Sequence, residues 1–393
     1  MMKKAVIITC FYSYTYDTRL CYVQKALEDM GYQCTIITSD FEHRSKNKYT
    51  INSQFVKQVN VIPYKKNVSF SRLFSHIEFA KKAYNLTDHI QPDLIYIGSP
   101  PNSCAKIFSK YKRKHPSVKM VLAITDMWPE TMPIPGKIKR IGSPTFALWK
   151  NIRNHSIKFY NGIIFECDLF KNYLSKYIKN RYSKTIYLSK KDTISICEKE
   201  QKREYHVFDE LKLAYIGSIN NIIDIDMIAN IVKKLTQYRS VRVSIIGDGE
   251  KKAELIDKIK IAGATVDDYG IIYDDNQKYQ ILSSNHYGLN VMKNSVFVGA
   301  TMKSLEYLYF GLPMLNNIAG DTKKIIKQFH CGFNLDYRTK DSVYKQIAVL
   351  PEEKYRRLVQ HSQKVFLEFF SEKAILKKMR DFFETIEYND ASI

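Results

Sequence analysis

Short runs rich in Val and Ile alternate along this 393-residue chain with longer stretches whose apolar residues recur every three or four positions. In the first half, "KAVIITC", "QCTIIT", "PDLIYIG", "VKMVLAIT" and "NGIIFE" have the length and β-branched content of buried strands. Between the first two, "DTRLCYVQKALEDMG" sets Leu20, Val23, Leu27 and Met30 at helical spacing, and Gly31 closes the helix. The second half follows the same logic without a detectable repeat. "LKLAYIGS", "VRVSIIGDGE", "HYGLNVM" and "LPMLNN" read as strands, while "DIDMIANIVKKLTQY" and "KKAELIDKIKIAG" read as helices. Apolar strands separated by helices imply parallel sheets covered on both faces.

The length exceeds what one hydrophobic core usually supports. The expected fold is therefore α/β, with two doubly wound Rossmann-like domains facing a cleft. The first spans 1–190 and the second 211–370. A charged, weakly periodic linker covers 191–210, and a C-terminal helix over 371–393 is expected to pack back on the first domain. In such folds ligands meet residues just past the carboxyl ends of the strands.

Composition narrows the chemistry. Hydrophobic residues make up 45% and charged residues 26%, an ordinary globular balance. No apolar run approaches the ~18 residues of a membrane-spanning helix. "MMKKAVIITCFYSY" runs straight into strand-like sequence and does not read as a signal peptide. The seven cysteines are scattered without a C-x-x-C pair, which fits a reducing cytoplasm and argues against a zinc site. The formal net charge of +21 admits nucleic acid, an anionic membrane surface or phosphorylated substrates as partners. The basic residues are spread out and no nucleic-acid-binding motif is present, so nucleic acid is disfavoured.

Candidate chemistry gathers at the strand ends of the second half: Gly217-Ser218, Gly247-Asp248-Gly249, Gly270 and Lys293. Glycines there allow close approach of a ligand, and following helix N-termini attract anions. No G-x-G-x-x-G fingerprint is present, which disfavours a nicotinamide or flavin enzyme. In "GATMKSLEYLYFGLP", Thr301 can cap a helix that Gly311 and Pro313 end. Lys303 falls in its first turn, where a phosphate is favoured. Glu306 sits one turn on, where it could accept bonds from sugar hydroxyls or form an i,i+3 surface pair with Lys303.

"IIGDGE" followed by "MKSLEYLYFGLP" resembles the donor half of a family-4-type GT-B glycosyltransferase, in which a K-x-x-E-Y-x-x-x-G-x-P segment precedes a buried strand. "YDTRLCYVQKALEDMGYQCTIIT" and "ITDMWPE" resemble the first βαβ unit and the D-x-W-P-E strand end of the same enzymes. The resemblance implies a nucleotide-sugar donor, UDP-sugar first, held by the second domain with no metal and no cofactor. Glu306 would take the ribose hydroxyls, and Lys303 with Thr301 and the helix start would meet the diphosphate. Gly217, Ser218, Gly247, Asp248 and Gly249 would line the nucleoside pocket. In the first domain, Asp126 and Arg19 would be catalytic, with Asp17, Thr18 and Glu130 on the acceptor side.

Two departures stand out. The family's first glutamate position is Val298 here, and the loop "GSINNIIDID" lacks the usual basic residue, so Lys293 would supply that charge. The implied activity is retaining transfer of a sugar to a lipid-linked or oligosaccharide acceptor in cell-surface polysaccharide (capsule or exopolysaccharide) synthesis. It would take place in the cytoplasm, with basic segments such as "YKRKHPSVK" and "KYIKNRYSK" on the anionic inner face of the membrane. A nucleotide-sugar 2-epimerase of the same fold and a non-catalytic transferase partner are the alternatives.

Overall fold

The computed structural model describes residues 2–12, 18–67, 69–132, 143–191 and 210–388. The chain divides into two compact units, unit 1 of Met1–Leu188 with Lys373–Ile393 and unit 2 of Ser189–Glu372. Each is an α/β unit built on one parallel sheet. Most of the linker expected over 191–210 lies outside the described residues.

In unit 1 the strands are β1 (Lys3–Ile8), β2 (Tyr32–Ser39), β3 (Val56–Val59), β4 (Leu94–Ser99), β5 (Lys119–Ile124), β6 (Gly162–Phe165) and β7 (Tyr182–Thr185). They lie in the order β3-β2-β1-β4-β5-β6-β7, every neighbouring pair parallel. Winding reverses between β1 and β4, which opens a crevice at their carboxyl ends. Helix Thr18–Asp29 follows β1, and Gly31 turns the chain at φ 85 into β2. One core gathers Ile7, Val23, Leu27, Tyr96, Val121 and Ile164.

The Glu372–Tyr388 helix closes that same core with Ile375, Met379, Phe382, Phe383 and Ile386. At Gly162 the helix packs tightly on the sheet: a Cβ there would stand 2.5 Å from Ile386 Cδ1. Lys3 Nζ pairs with Glu387 at 2.9 Å, tying the helix to the first strand.

Unit 2 contains β8 (Glu210–Ile216), β9 (Ser240–Ile246), β10 (Thr265–Asp268), β11 (Tyr287–Asn290), β12 (Met314–Asn316) and β13 (Gly332–Asn334). Their order is β10-β9-β8-β11-β12-β13, with the reversal between β8 and β11. Asp224, one of the "DID" aspartates, caps the Ile225–Leu235 helix by accepting from the Met227 N–H. Its core joins Leu213, Tyr215, Ile231, Val243, Leu289 and Leu315.

The strands that the apolar pattern leaves unannounced are β3, β7, β10 and β13. They are the four sheet edges.

Candidate active site

In unit 2 the glycine loops are built against one another. The Gly217 N–H donates to Ile246 O at 2.8 Å, Ile219 N–H to Asp248 O at 2.9 Å, and Gly247 N–H to Gly270 O at 2.7 Å. Gly247 and Gly249 adopt φ of 149 and 153. A Cβ on Gly247 would lie 2.1 Å from Gly217 O, and one on Gly249 2.2 Å from Ile219 O. These glycines thus have a demonstrable packing role, stacking the β9 loop on the β8 loop. Ser218 and Asp248 are exposed on those loops. Lys293 is exposed after β11, and its N–H donates to Ile222 O at 2.9 Å, fastening that loop to the one after β8.

The Met302–Tyr309 helix starts beside this crevice. Thr301 caps it in a reciprocal capping box with Ser304, and its hydroxyl also meets Asn290 Oδ1 at 3.1 Å. An asparagine ladder runs across the strand ends: Asn290 Nδ2 donates to Asn316 Oδ1, and Asn316 Nδ2 to Asn334 Oδ1, each at 2.8 Å. The ladder satisfies polar side chains at the buried strand ends and fixes the loop from which the helix starts. Val298 precedes Gly299, whose carbonyl accepts both the N–H and the hydroxyl of Thr322.

Lys303 and Glu306 do not pair with each other. Lys303 is only 8% exposed. Its Nζ donates to the Tyr215 hydroxyl at 2.7 Å, stands 4.4 Å from the centre of that ring, and its Cε lies 3.3 Å from where a Gly217 Cβ would be. No carboxylate faces it among the described residues, and burial pushes its pKa down to about 7. Glu306 Oε1 accepts from Lys190 Nζ at 2.9 Å and lies 3.7 Å from Lys278 Nζ. Its Oε2 is buried without a partner. The helix therefore presents a buried cation toward the end of β8 and, one turn later, a carboxylate held by one oxygen with the other unused.

Unit 1 carries a cavity of about 430 Å³ at its own strand ends, reached from Thr9 after β1, Gly98 in β4, Asp126 after β5 and Glu166 after β6. This is the winding reversal of the sheet. Arg19, 5% exposed, donates from Nη2 to Ile186 O at 2.9 Å and stands 3.8 Å from Glu166 Oε2, while its Nε and Nη1 are buried and unpartnered. Asp126 Oδ1 accepts from the Met127 N–H at 2.8 Å and from the Thr131 hydroxyl. That geometry serves the turn into Trp128-Pro129. Burial raises the Asp126 pKa. Burial, together with the charge of Asp126, pushes Glu166 up to about 7 against the opposing pull of Arg19.

Both oxygens of Glu130 are bound by Arg153, at 2.9 and 3.2 Å. Arg153 is fully buried and also holds Trp128 O and Asn154. Glu130, which the resemblance places on the acceptor side, is thus tied to Arg153 and anchors the segment after β5. Thr18 begins the first helix. Asp17 lies outside the described residues.

Sequence reasoning missed Glu166, Arg72 and His43. Glu166 carried a readable signal, a charged residue ending the buried run "NGIIFE". Arg72 carried none. It comes from the Phe70–Ile90 helix, its guanidinium 4.1 Å from the centre of Trp128 and 5.5 Å from that of Tyr64. His76 also stacks on Trp128, with ring centres 5.9 Å apart, and burial with the Arg72 charge lowers its pKa to about 3. Beside this stack lies a largely apolar groove of about 320 Å³ lined by Leu73, Met132, Phe146 and Trp149. Phe70, Phe74 and Leu148 are exposed nearby in sequence on the two helices that flank it. Among the described residues no group of acidic, His or Cys side chains is arranged to hold a metal ion, and no helix is long and apolar enough to cross a membrane.

No family model matches the sequence, and no curated protein matches it. Solved structures do match over nearly its whole length. A sucrose-phosphate synthase from Thermosynechococcus elongatus superposes with a TM-score of 0.69 at 11% identity, covering 99% of this chain and 100% of that one. HepE from Anabaena in complex with UDP gives 0.65 at 13% identity, covering 98% and 100%. The lipopolysaccharide outer core galactosyltransferase WaaB gives 0.65 at 12%, covering 99% and 100%. The fold of this chain is the two-domain Rossmann-like fold of these proteins, GT-B.

Proposed function

We propose that the chain is a glycosyltransferase that moves a sugar from a nucleotide-sugar donor to a hydroxyl of a glycan acceptor. The observation that carries this reading is the pair on the Met302–Tyr309 helix: a buried lysine at the end of β8 with no counter-charge among the described residues, and Glu306 with one buried oxygen unpaired among them. An unneutralised buried cation next to a helix start suits a diphosphate. A buried carboxylate oxygen without a donor suits the ribose hydroxyls. Structural neighbours crystallised with UDP and with UDP-glucose support a uridine nucleotide as the first candidate.

Negative charge grows on the leaving diphosphate, and Lys303, the N–H groups at the helix start and Lys293 are the groups here that would stabilise it. We assign no metal and no cofactor. On the retaining reading, the leaving phosphate oxygen takes the acceptor's proton and no protein nucleophile is needed. Unit 1 would take the acceptor. The apolar groove flanked by the helices carrying Phe70, Phe74 and Leu148 supports a lipid-linked acceptor at a membrane surface. The basic run "YKRKHPSVK" supports it less, because Lys112 is turned to Pro116 O and Val118 O and Lys114 to Asp88.

The test is nucleoside diphosphate release from a panel of UDP-, GDP- and dTDP-sugars, with and without membrane lipid extract, in wild type and Glu306→Ala. Release that depends on one donor and on lipid, and that is lost in the variant, is the expected result. Conversion of a sugar without acceptor would point to an epimerase. Donor binding without any turnover would point to a non-catalytic partner, which Val298 in place of a glutamate makes worth separating.

A further inference from the structure

We propose that Glu166 and Arg19 form a hydroxyl-reading pair in the unit 1 cavity, with Glu166 accepting a hydrogen bond from a sugar hydroxyl of the acceptor and Arg19 donating to the same or the neighbouring oxygen. This rests on the transferase reading above and names the residues that would select its acceptor.

Availability separates the two carboxylates at these strand ends. Asp126 has Oδ1 committed to the Met127 N–H and the Thr131 hydroxyl. Glu166 accepts no side-chain hydrogen bond among the described residues, and its nearest cation is Arg19 at 3.8 Å. Arg19 is itself incomplete: one nitrogen is bound to Ile186 O, and Nε and Nη1 are buried with nothing among the described residues to donate to. Buried guanidinium donors left unfilled are costly and signal a ligand group that completes them.

A hydroxyl both donates and accepts, so it matches a carboxylate beside an unfilled guanidinium. A phosphate would satisfy Arg19 but would meet Glu166 and Asp126 as like charges, which disfavours it. Phe11, Tyr96 and Trp128 line the same cavity and offer apolar faces to the C–H side of a sugar ring.

The charged and titratable groups lining the cavity with Glu166 are Arg19 on the first helix, Asp126 after β5, Arg72 on the Phe70–Ile90 helix, His43 after β2 and Tyr96 in β4. Burial holds His43 near 4, so it is neutral at physiological pH. Glu166, pushed up to about 7, gains its charge as pH rises through neutrality. Hydroxyl binding should therefore strengthen from pH 6 to pH 8. Lys303 in unit 2 titrates in the same range in the opposite sense, losing its charge as pH rises.

The experiment uses the full chain and methyl glycosides of glucose, galactose and N-acetylglucosamine, followed by saturation-transfer NMR at pH 6 and pH 8. UDP binding by calorimetry runs alongside. At least one glycoside should contact wild type, more strongly at pH 8. Glu166→Gln should weaken it about tenfold and abolish the pH dependence, with UDP affinity unchanged. Equal binding and an unchanged pH profile in Glu166→Gln, or no glycoside contact in wild type at pH 8, would overturn the proposal. If Glu166→Gln unfolds, the wild-type pH dependence decides alone, and a flat profile sinks it. Absence of binding of UDP, GDP and dTDP, each titrated in the same calorimetry, would instead sink the transferase reading, so the two failures are distinguishable.

Discussion

The two sheets end in different ways. At the winding reversal of unit 2, the surface is made largely of backbone: stacked glycine loops, an asparagine ladder and a capped helix start, with one buried lysine and one half-used carboxylate. At the reversal of unit 1, the cavity is walled by side chains, two arginines, two carboxylates, a histidine and three aromatic rings. Backbone donors and a helix terminus suit a ligand part that recurs unchanged, such as a diphosphate. Side-chain walls suit a partner whose shape differs from one protein to the next, because they can be exchanged without disturbing the fold.

The contrast is most sharply broken at Lys303. Lys303→Met keeps the packing volume but removes the cation buried at the end of β8, and should lower kcat/KM for the donor by about 100-fold or more. Burial holds the lysine near pH 7, below its unfolded value of 10.5. The unfolded chain therefore binds more protons between about 7 and 10.5, and this residue makes stability rise with pH across that window. Thermal unfolding of wild type should show that rise and Lys303→Met should lack it. The variant should also be no less stable than wild type at pH 7. A donor kcat/KM unchanged in the variant would mean that the lysine serves packing alone.

Next in size is Glu306→Gln, which should raise donor KM about tenfold with a smaller change in kcat, since a neutral amide holds a ribose hydroxyl less well than a carboxylate. Its selective signature is loss of discrimination between a UDP-sugar and its 2′-deoxy analogue. Equal discrimination in wild type and variant would show that Lys190, Lys278 and Glu306 form a purely structural cluster.

The smallest effect should come from Asp126→Asn. Its engaged oxygen accepts from a backbone N–H and a hydroxyl, both of which an amide oxygen can still take. Acceptor kcat/KM should fall less than threefold by the scale of a neutral hydrogen bond, well short of the loss in Glu166→Gln. A larger loss in Asp126→Asn than in Glu166→Gln would move the acceptor contact from β6 to β5.

The interior strands of both sheets were legible because a strand covered on two faces must be apolar nearly throughout. β1 and β5 show that run plainly. The edges β3, β7, β10 and β13 were not, because a strand with one free side is short and half-exposed and its residues answer to solvent. β10, "TVDD", has no fully buried residue. In the Met302–Tyr309 helix, spacing put Lys303 and Glu306 one turn apart but could not say that they face different partners, since the partners, Tyr215 and Lys190, are distant in sequence. Glu130 shows the same limit: the resemblance implied an acceptor-side place, and its ion pair with Arg153, 23 residues on, was not readable from the sequence. Arg72 and His43 reach the cavity by tertiary folding alone.

The Glu372–Tyr388 helix carries a temporal consequence. Its five core residues belong to unit 1, yet every residue of unit 2 precedes them in the chain. During synthesis the first sheet emerges from the ribosome with the face of β6 uncovered, and the space in front of Gly162 stays open until Phe382 and Ile386 of the last helix arrive. Unit 2, contiguous in sequence, can complete its core earlier. The unit translated first is therefore the one finished last, and a nascent chain stalled before residue 373 would hold a completed second unit beside a first unit still lacking a wall.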